Sequence, residues 1–270
     1  MDREMKTKNE RRVAPKRNGK AKSGRQSAIT CTRYKSTQMP EKKRFTNRHL
    51  PRGLEILHQD KDILVVDKPA GLLAVRTETE KTRTAHYILT DYIRKGCAKS
   101  QNRIFTVHRL DQWTSGVLVF AKSEEVKLLL QAQWKDTEKK YIAVVHGQLP
   151  QREGIIASYL AEDKAFLVYS TTDTTKGKLA QTAYKVLKET RQFSLLEITL
   201  LTGRKNQIRV HLADKGHPVV GDRKYGKTED GYKRLALHAK SISFKHPATG
   251  QQMTFESRLP SYFNMVMDNK

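Results

Sequence analysis

The stretch His108-Arg109-Leu110-Asp111-Gln112-Trp113-Thr114-Ser115-Gly116 decides how this chain is read. Its small-residue turn, Thr114-Ser115-Gly116, separates the carboxylate of Asp111 from the apolar run Val117-Leu118-Val119-Phe120, which reads as a buried strand. On the other side, Arg103-Ile104-Phe105-Thr106-Val107 reads as a second strand. Asp111 thus stands at the mouth of a strand-turn-strand. Arg109 or a more distant cation would keep it ionised, ready to serve as nucleophile or proton acceptor. The plainer role is a turn-forming Asp whose side chain bonds the backbone of Thr114 or Ser115.

Outward from this core, residues 55–60 and 62–67 read as two short strands. Lys68-Pro69-Ala70-Gly71 ends the second, since proline cannot donate to a ladder and glycine permits a sharp turn. Apolar spacing at Ala85, Ile88, Leu89 and Tyr92 predicts an amphipathic helix over 84–95. Ser123 caps a second helix running to about Lys135, with Glu124 and Glu125 on its first-turn dipole. Strands are expected over 141–146, 154–160, 165–170, 179–189 and 193–201, then a third helix over 204–215 ended by Gly216. A last hairpin pairs 234–244 with 252–258. Strands gathered in hairpins with few helices between them argue for an α+β fold. Its central sheet should be mixed, mostly antiparallel and flanked by helices.

The charge balance narrows the partner. Of the formal net charge of +24 on 270 residues, half falls on residues 1–50, which hold sixteen Lys/Arg against four Asp/Glu. Such an excess calls for a polyanion, and nucleic acid is the natural one. Residues 1–50 have few large apolar side chains and read as a disordered basic arm, leaving 51–270 as the folded domain. Two cysteines, Cys31 and Cys97, form no disulfide framework, and no run approaches a membrane span. The N-terminus lacks the apolar segment of a secretory signal, so a cytoplasmic protein is expected.

Two further segments can carry chemistry. In Gly203-Arg204-Lys205-Asn206-Gln207-Ile208-Arg209-Val210-His211 a strand gives way to a helix whose free N–H groups favour an anion. Arg204, Lys205 and Arg209 reinforce that, and Arg209 can alternatively pair with a buried carboxylate. Helical spacing sets Asn206, Arg209 and Ala213 on one face, with Ile208, His211 and Leu212 towards the core. Tyr141 opens the strand Tyr141-Ile142-Ala143-Val144-Val145, where it either stacks on a base or simply packs in the core. Phosphate-binding glycine loops, hydrolase elbows and paired zinc-ligand spacings are missing from the sequence, so neither cofactor nor metal is expected.

Together these segments resemble the RluA-type family of RNA pseudouridine synthases. The resemblance rests on His108-Arg109-Leu110-Asp111 followed by Thr114-Ser115-Gly116, and on the strand from Lys139 to Gly147. It continues through Gly203 to His211, then Gly216-His217-Pro218, Gly221-Asp222 with Tyr225-Gly226, Leu237-His238-Ala239 and Phe244 with His246-Pro247. It implies the pseudouridine synthase fold with an active-site cleft, and isomerisation of specific uridines in rRNA or tRNA by base flipping. It also implies Asp111 as the essential acid, Tyr141 stacked on the target base, and Arg209 as the partner of Asp111. Arg109 would brace the space left by the flipped nucleotide, with Arg204, Lys205 and Asn206 facing RNA. Two departures stand out: Asn206 occupies a position where many members carry His, and residues 1–50 read as too short and too polar for the S4 RNA-binding domain that many relatives carry. The alternatives are a non-catalytic RNA-binding or ribosome-assembly protein on the same fold, and a hydrolase using Asp111 without a partner acid. A monomer is expected.

Overall fold

Seven successive residues of Ser115–Ala121 are buried, so this strand lies inside a sheet covered on both faces. The computed structural model describes residues 50–95, 97, 99–226 and 231–268, and the basic arm expected over 1–50 lies outside these but for Leu50. In chain order the elements are β1 (Glu55–Gln59), β2 (Ile63–Lys68), α1 (Ala85–Arg94), β3 (Phe105–Thr106), β4 (Ser115–Ala121), α2 (Glu124–Ala132) and β5 (Glu138–His146). They continue with β6 (Glu153–Glu162), β7 (Val168–Thr171), β8 (Lys178–Glu189), β9 (Phe193–Leu200), α3 (Gln207–Asp214), β10 (Leu237–Lys245), β11 (Gln252–Glu256) and α4 (Ser261–Asp268).

Eleven strands form one sheet in the order β1-β2-β4-β10-β5-β9-β8-β6-β7, with β3 against β4 and β11 against β10. Every neighbouring pair is antiparallel except β4 with β10. That parallel contact is short, joining His238 to Ser115 and Ala239 to Gly116. Gly116 there has φ +114°, and a Cβ would stand 2.1 Å from the Ala239 carbonyl oxygen. Only glycine lets the two strands approach so closely.

Strand alternation sorts the core into layers. Leu64, Val66, Leu118 and Phe120 point to one face and pack with Leu89 of α1. Ile63, Val65, Val117 and Val119 point to the other and pack with Val126 and Leu130 of α2. A third cluster joins Val144, Leu196 and Ile198 to Ile208 and Leu212 of α3 and to Phe263 and Val266 of α4. Tyr141 touches both the first and the third clusters. The catalytic candidates therefore sit on the seam between two packed halves of one sheet.

Several expected boundaries shift. The strand expected over 103–107 shrinks to Phe105–Thr106, because side chains take its flanking carbonyls: His86 bonds that of Ile104 and Gln131 that of Val107. The second helix stops at Ala132, short of Lys135. The third starts at Gln207 rather than 204, because Asn206 has φ +53°, outside helical space. Arg204 and Lys205 thus belong to the turn before the helix. The last helix, α4, was not expected, although Phe263, Val266 and Met267 form its buried face at helical spacing.

Candidate active site

Two loops are laced together to present Asp111. Gly71 N–H donates to the Gln112 carbonyl at 2.8 Å, and the Gln112 amide donates back to the Gly71 carbonyl at 3.1 Å. Between them Lys68, fully buried, donates to the carbonyls of Pro69 (3.0 Å), Leu72 (2.8 Å) and Gln112 (3.1 Å). Burial pulls the Lys68 pKa down to about 7, while the nearby charges of Asp111 and Asp67 work in the opposite direction. In the sequence Lys68 reads only as a strand end. Its position makes it the brace of the catalytic turn.

The turn is closed by the Asp111 main chain, since its carbonyl accepts from Thr114 N–H at 3.1 Å. The carboxylate is left to face Arg209, whose Nη1 donates to Asp111 Oδ2 at 3.2 Å. This pairing across 98 positions of sequence is the one the resemblance implied.

Arg209 is held from behind by a stronger partner. Asp222, whose side chain is 0 % exposed, accepts from Arg209 Nε and Nη2, both at 2.7 Å. The backbone amides of Lys224 and Tyr225 also donate to Asp222, at 2.9 and 3.1 Å. Such a two-pronged pair fixes the guanidinium plane as well as its position. Burial opposes the Arg209 charge, but hydrogen bonds and charge from Asp222, then Asp111, outweigh it and raise its pKa. Asp222 was legible only as part of the matched Gly221-Asp222 motif, with no role attached.

The remaining predicted residues divide. Tyr141 lines the same pocket as Asp111, together with Leu110, Thr114, Leu200, Arg204, Asn206 and Leu237. Burial and the neighbouring Asp111 charge raise the Tyr141 pKa, so it is a neutral phenol near pH 7. Asn206 accepts from Arg209 at 3.2 Å and donates to the Tyr225 hydroxyl at 3.0 Å, so it links the two. The Tyr225 ring lies 5.1 Å from the Arg209 guanidinium. Arg204 bonds the Leu179 carbonyl at the pocket edge. Lys205 is paired with Glu162 and lies over the Phe166 ring, at 5.3 Å, so it is already engaged. Arg109 is exposed on the approach to the turn.

Away from this pocket, ligand atoms of Asp60, Asp62 and His246 lie within 4.8 Å of one another. The His246 Nδ1 accepts from the amides of Ala248 and Thr249, which leaves the proton on Nε2, aimed at Asp60 at 3.2 Å. His58 also meets Asp60, at 2.6 Å. In this tautomer the imidazole presents a donor to Asp60 rather than a metal-ligating lone pair. No helix among the described residues is long and apolar enough to cross a membrane.

Residues 62–214 match the family model described as RNA pseudouridylate synthase. The chain is 36% identical over 265 residues to the uncharacterized RNA pseudouridine synthase YlyB of Bacillus subtilis, covering 95% of this chain and 83% of that protein. It is 33% identical over 238 residues to tRNA pseudouridine synthase C of Haemophilus influenzae, covering 80% and 97% respectively. It is 34% identical over 228 residues to ribosomal large subunit pseudouridine synthase C of Buchnera aphidicola, covering 79% and 69%. Among solved structures, human RNA Pseudouridylate Synthase Domain Containing 4 superposes with a TM-score of 0.66 at 24% identity, over 79% of this chain and 91% of that one, a likeness of fold.

Proposed function

The chain belongs to the RNA pseudouridylate synthase family and is an isomerase acting on RNA; on that premise we propose that Asp111, Tyr141 and Arg209 carry the reaction. The observation that supports this is the ion pair of Asp111 with Arg209 in a pocket that also holds Tyr141. The reaction breaks N1–C1′, turns the uracil, forms C5–C1′, moves a proton off C5 and leaves one on N1. It is a balanced isomerisation that consumes no oxidant and no external energy.

Asp111 supplies the carboxylate that acts on the flipped uridine. Arg209 keeps it charged and aimed, and is itself immobilised by Asp222. Because Tyr141 is a neutral phenol, its resting role is to stack on the uracil and hold a proton at its hydroxyl. Flipping a base costs a few kcal/mol in a duplex and least in a loop, so loop uridines of rRNA or tRNA are the substrates. Arg109 and Arg204 face that RNA, the basic arm over 1–50 adds sequence-independent affinity, and residues 51–270 form the catalytic domain. The protein works as a cytoplasmic monomer.

The test is tritium release from RNA labelled at C5 of uridine, with rRNA and tRNA transcripts offered separately. Wild-type protein should release tritium from at least one, and Asp111→Ala from neither. Tight RNA binding without release by the wild type would instead support the non-catalytic alternative.

A further inference from the structure

A second cavity, of about 320 Å³, opens beside the catalytic turn, large enough for one small ligand. Thr114 and Leu237 line the catalytic pocket, while the next residues, Ser115 and His238, line this one. Alternation along β10, from Leu237 to His238, therefore sets the two cavities on opposite faces of that strand. The same turn serves both, sending Asp111 to the first and Trp113 to the second.

Three features of the cavity ask for a ligand. Trp113 is 50 % exposed, with its ring resting over Gly71, so it offers a flat apolar surface to the opening. Arg234 Nε is buried without a hydrogen-bond partner, and His238, a residue only 1 % exposed, lies beside it in the lining. A buried donor is rarely left so, and it points to something that accepts from it. His238 Nδ1 meets the Ser115 hydroxyl at 2.9 Å; with that hydroxyl donating, Nε2 carries the proton. Burial holds this imidazole neutral, with its pKa pushed down to about 4. A backbone hydrogen bond with Ser257, whose carbonyl also accepts from Lys240 Nζ at 2.9 Å, works against that shift. Arg258, exposed at the rim, adds a second guanidinium. Glu55 and Asp67 complete the lining as acceptors.

We propose that this cavity is a nucleotide-binding station, in which a base stacks on Trp113 and its phosphate meets Arg234 and Arg258. The carboxylates of Glu55 and Asp67 accept from the amino edge of the base, a combination that a simple anion would not use. The inference rests on the reading of this protein as an RNA enzyme. The ligand chemistry is a nucleotide, either part of an RNA strand that continues past the flipped uridine or a free mononucleotide.

Trp113 reports occupancy directly, since a stacked base quenches indole fluorescence. The chain has two tryptophans, so full-length Trp134→Phe protein leaves Trp113 as the sole probe. It is titrated with oligoadenylate, which offers no uridine to the catalytic pocket, with adenosine 5′-monophosphate and with inorganic phosphate. The expected result is saturable quenching by both nucleotide probes, and competition without quenching by phosphate. Arg258→Glu, a change at an exposed position, should weaken quenching at least tenfold. Oligoadenylate binding tenfold tighter than the monophosphate assigns the station to RNA; equal binding assigns it to free nucleotide. No saturable quenching, or quenching indifferent to Arg258→Glu, overturns the proposal. Tritium release by the wild type separates the two readings: release without quenching removes the station alone, and no release from any RNA removes the enzymatic reading.

Discussion

Replacing Asp222 by Ala should damage stability far more than replacing Asp111, although Asp111 is the group that acts. Asp222 is fully buried and accepts four hydrogen bonds, two from Arg209 at 2.7 Å and two from the amides of Lys224 and Tyr225 at 2.9 and 3.1 Å. Without it, a guanidinium whose side chain is only 13 % exposed keeps single 3.2 Å bonds to Asp111 and Asn206. Breaking a buried ion pair by removing one partner costs about 3–5 kcal/mol. Asp111 is 26 % exposed and makes one 3.2 Å contact, and its loss leaves Arg209 gripped by Asp222. The cost there should stay within about 1 kcal/mol, the range of partly solvated pairs. At roughly 2–4 °C per kcal/mol for a domain of this size, Asp222→Ala should lower Tm by roughly 6–20 °C and Asp111→Ala by under about 4 °C. Scanning calorimetry, with urea unfolding as a check on m, reads both, and both variants should lose turnover. A larger loss of stability for Asp111→Ala than for Asp222→Ala would refute the claim that Asp222 anchors Arg209.

Gly116→Ala should prevent folding, because the added methyl meets the Ala239 carbonyl at 2.1 Å on a backbone with φ +114°; circular dichroism of the purified variant checks this. Lys68 has its folded pKa lowered to about 7 from 10.5. The unfolded chain therefore binds the extra proton between those values, and this residue makes stability rise with pH across that window. Relative to Lys68→Met, the wild type should gain up to about 1.4 kcal/mol per pH unit between about pH 7 and 10.5; parallel pH profiles for the two proteins would speak against it. Deleting residues 1–45 should weaken RNA binding and reduce the slope of log K against log salt, since each lost phosphate contact removes about 0.7–0.9 from that slope. Unchanged affinity would remove any role for the arm.

Local signals carried the elements whose causes are local. Ser123 reads as an N-cap and accepts the expected backbone N–H, from Val126; Thr84, read as the first residue of its helix, instead caps it by accepting from Tyr87 N–H. The apolar run of β4 needed only its own sequence to be read as a buried strand, and that of β2 to be read as a strand. Asp111, Tyr141 and Arg209 were each ambiguous by themselves, and became a group only through the family resemblance. Asp222 and Lys68 stayed hidden for different reasons. An Asp after Gly221 looks like an ordinary turn residue, and its carboxylate matters only because α3 brings Arg209 onto it. A lysine ending a strand is normally solvated; Lys68 is buried because the turn at Gln112 closes over it. The start of α3 moved because Asn206 takes a left-handed backbone, where its side chain bonds Arg209 and Tyr225 instead of capping the helix.

The most direct test of the account maps pseudouridine across total RNA from cells with the gene, without it, and with it restored as wild type or Asp111→Ala. The account predicts that certain rRNA or tRNA uridines lose the modification when the gene is removed. Wild type should restore every such site and Asp111→Ala none. Restoration of those sites by Asp111→Ala would contradict it.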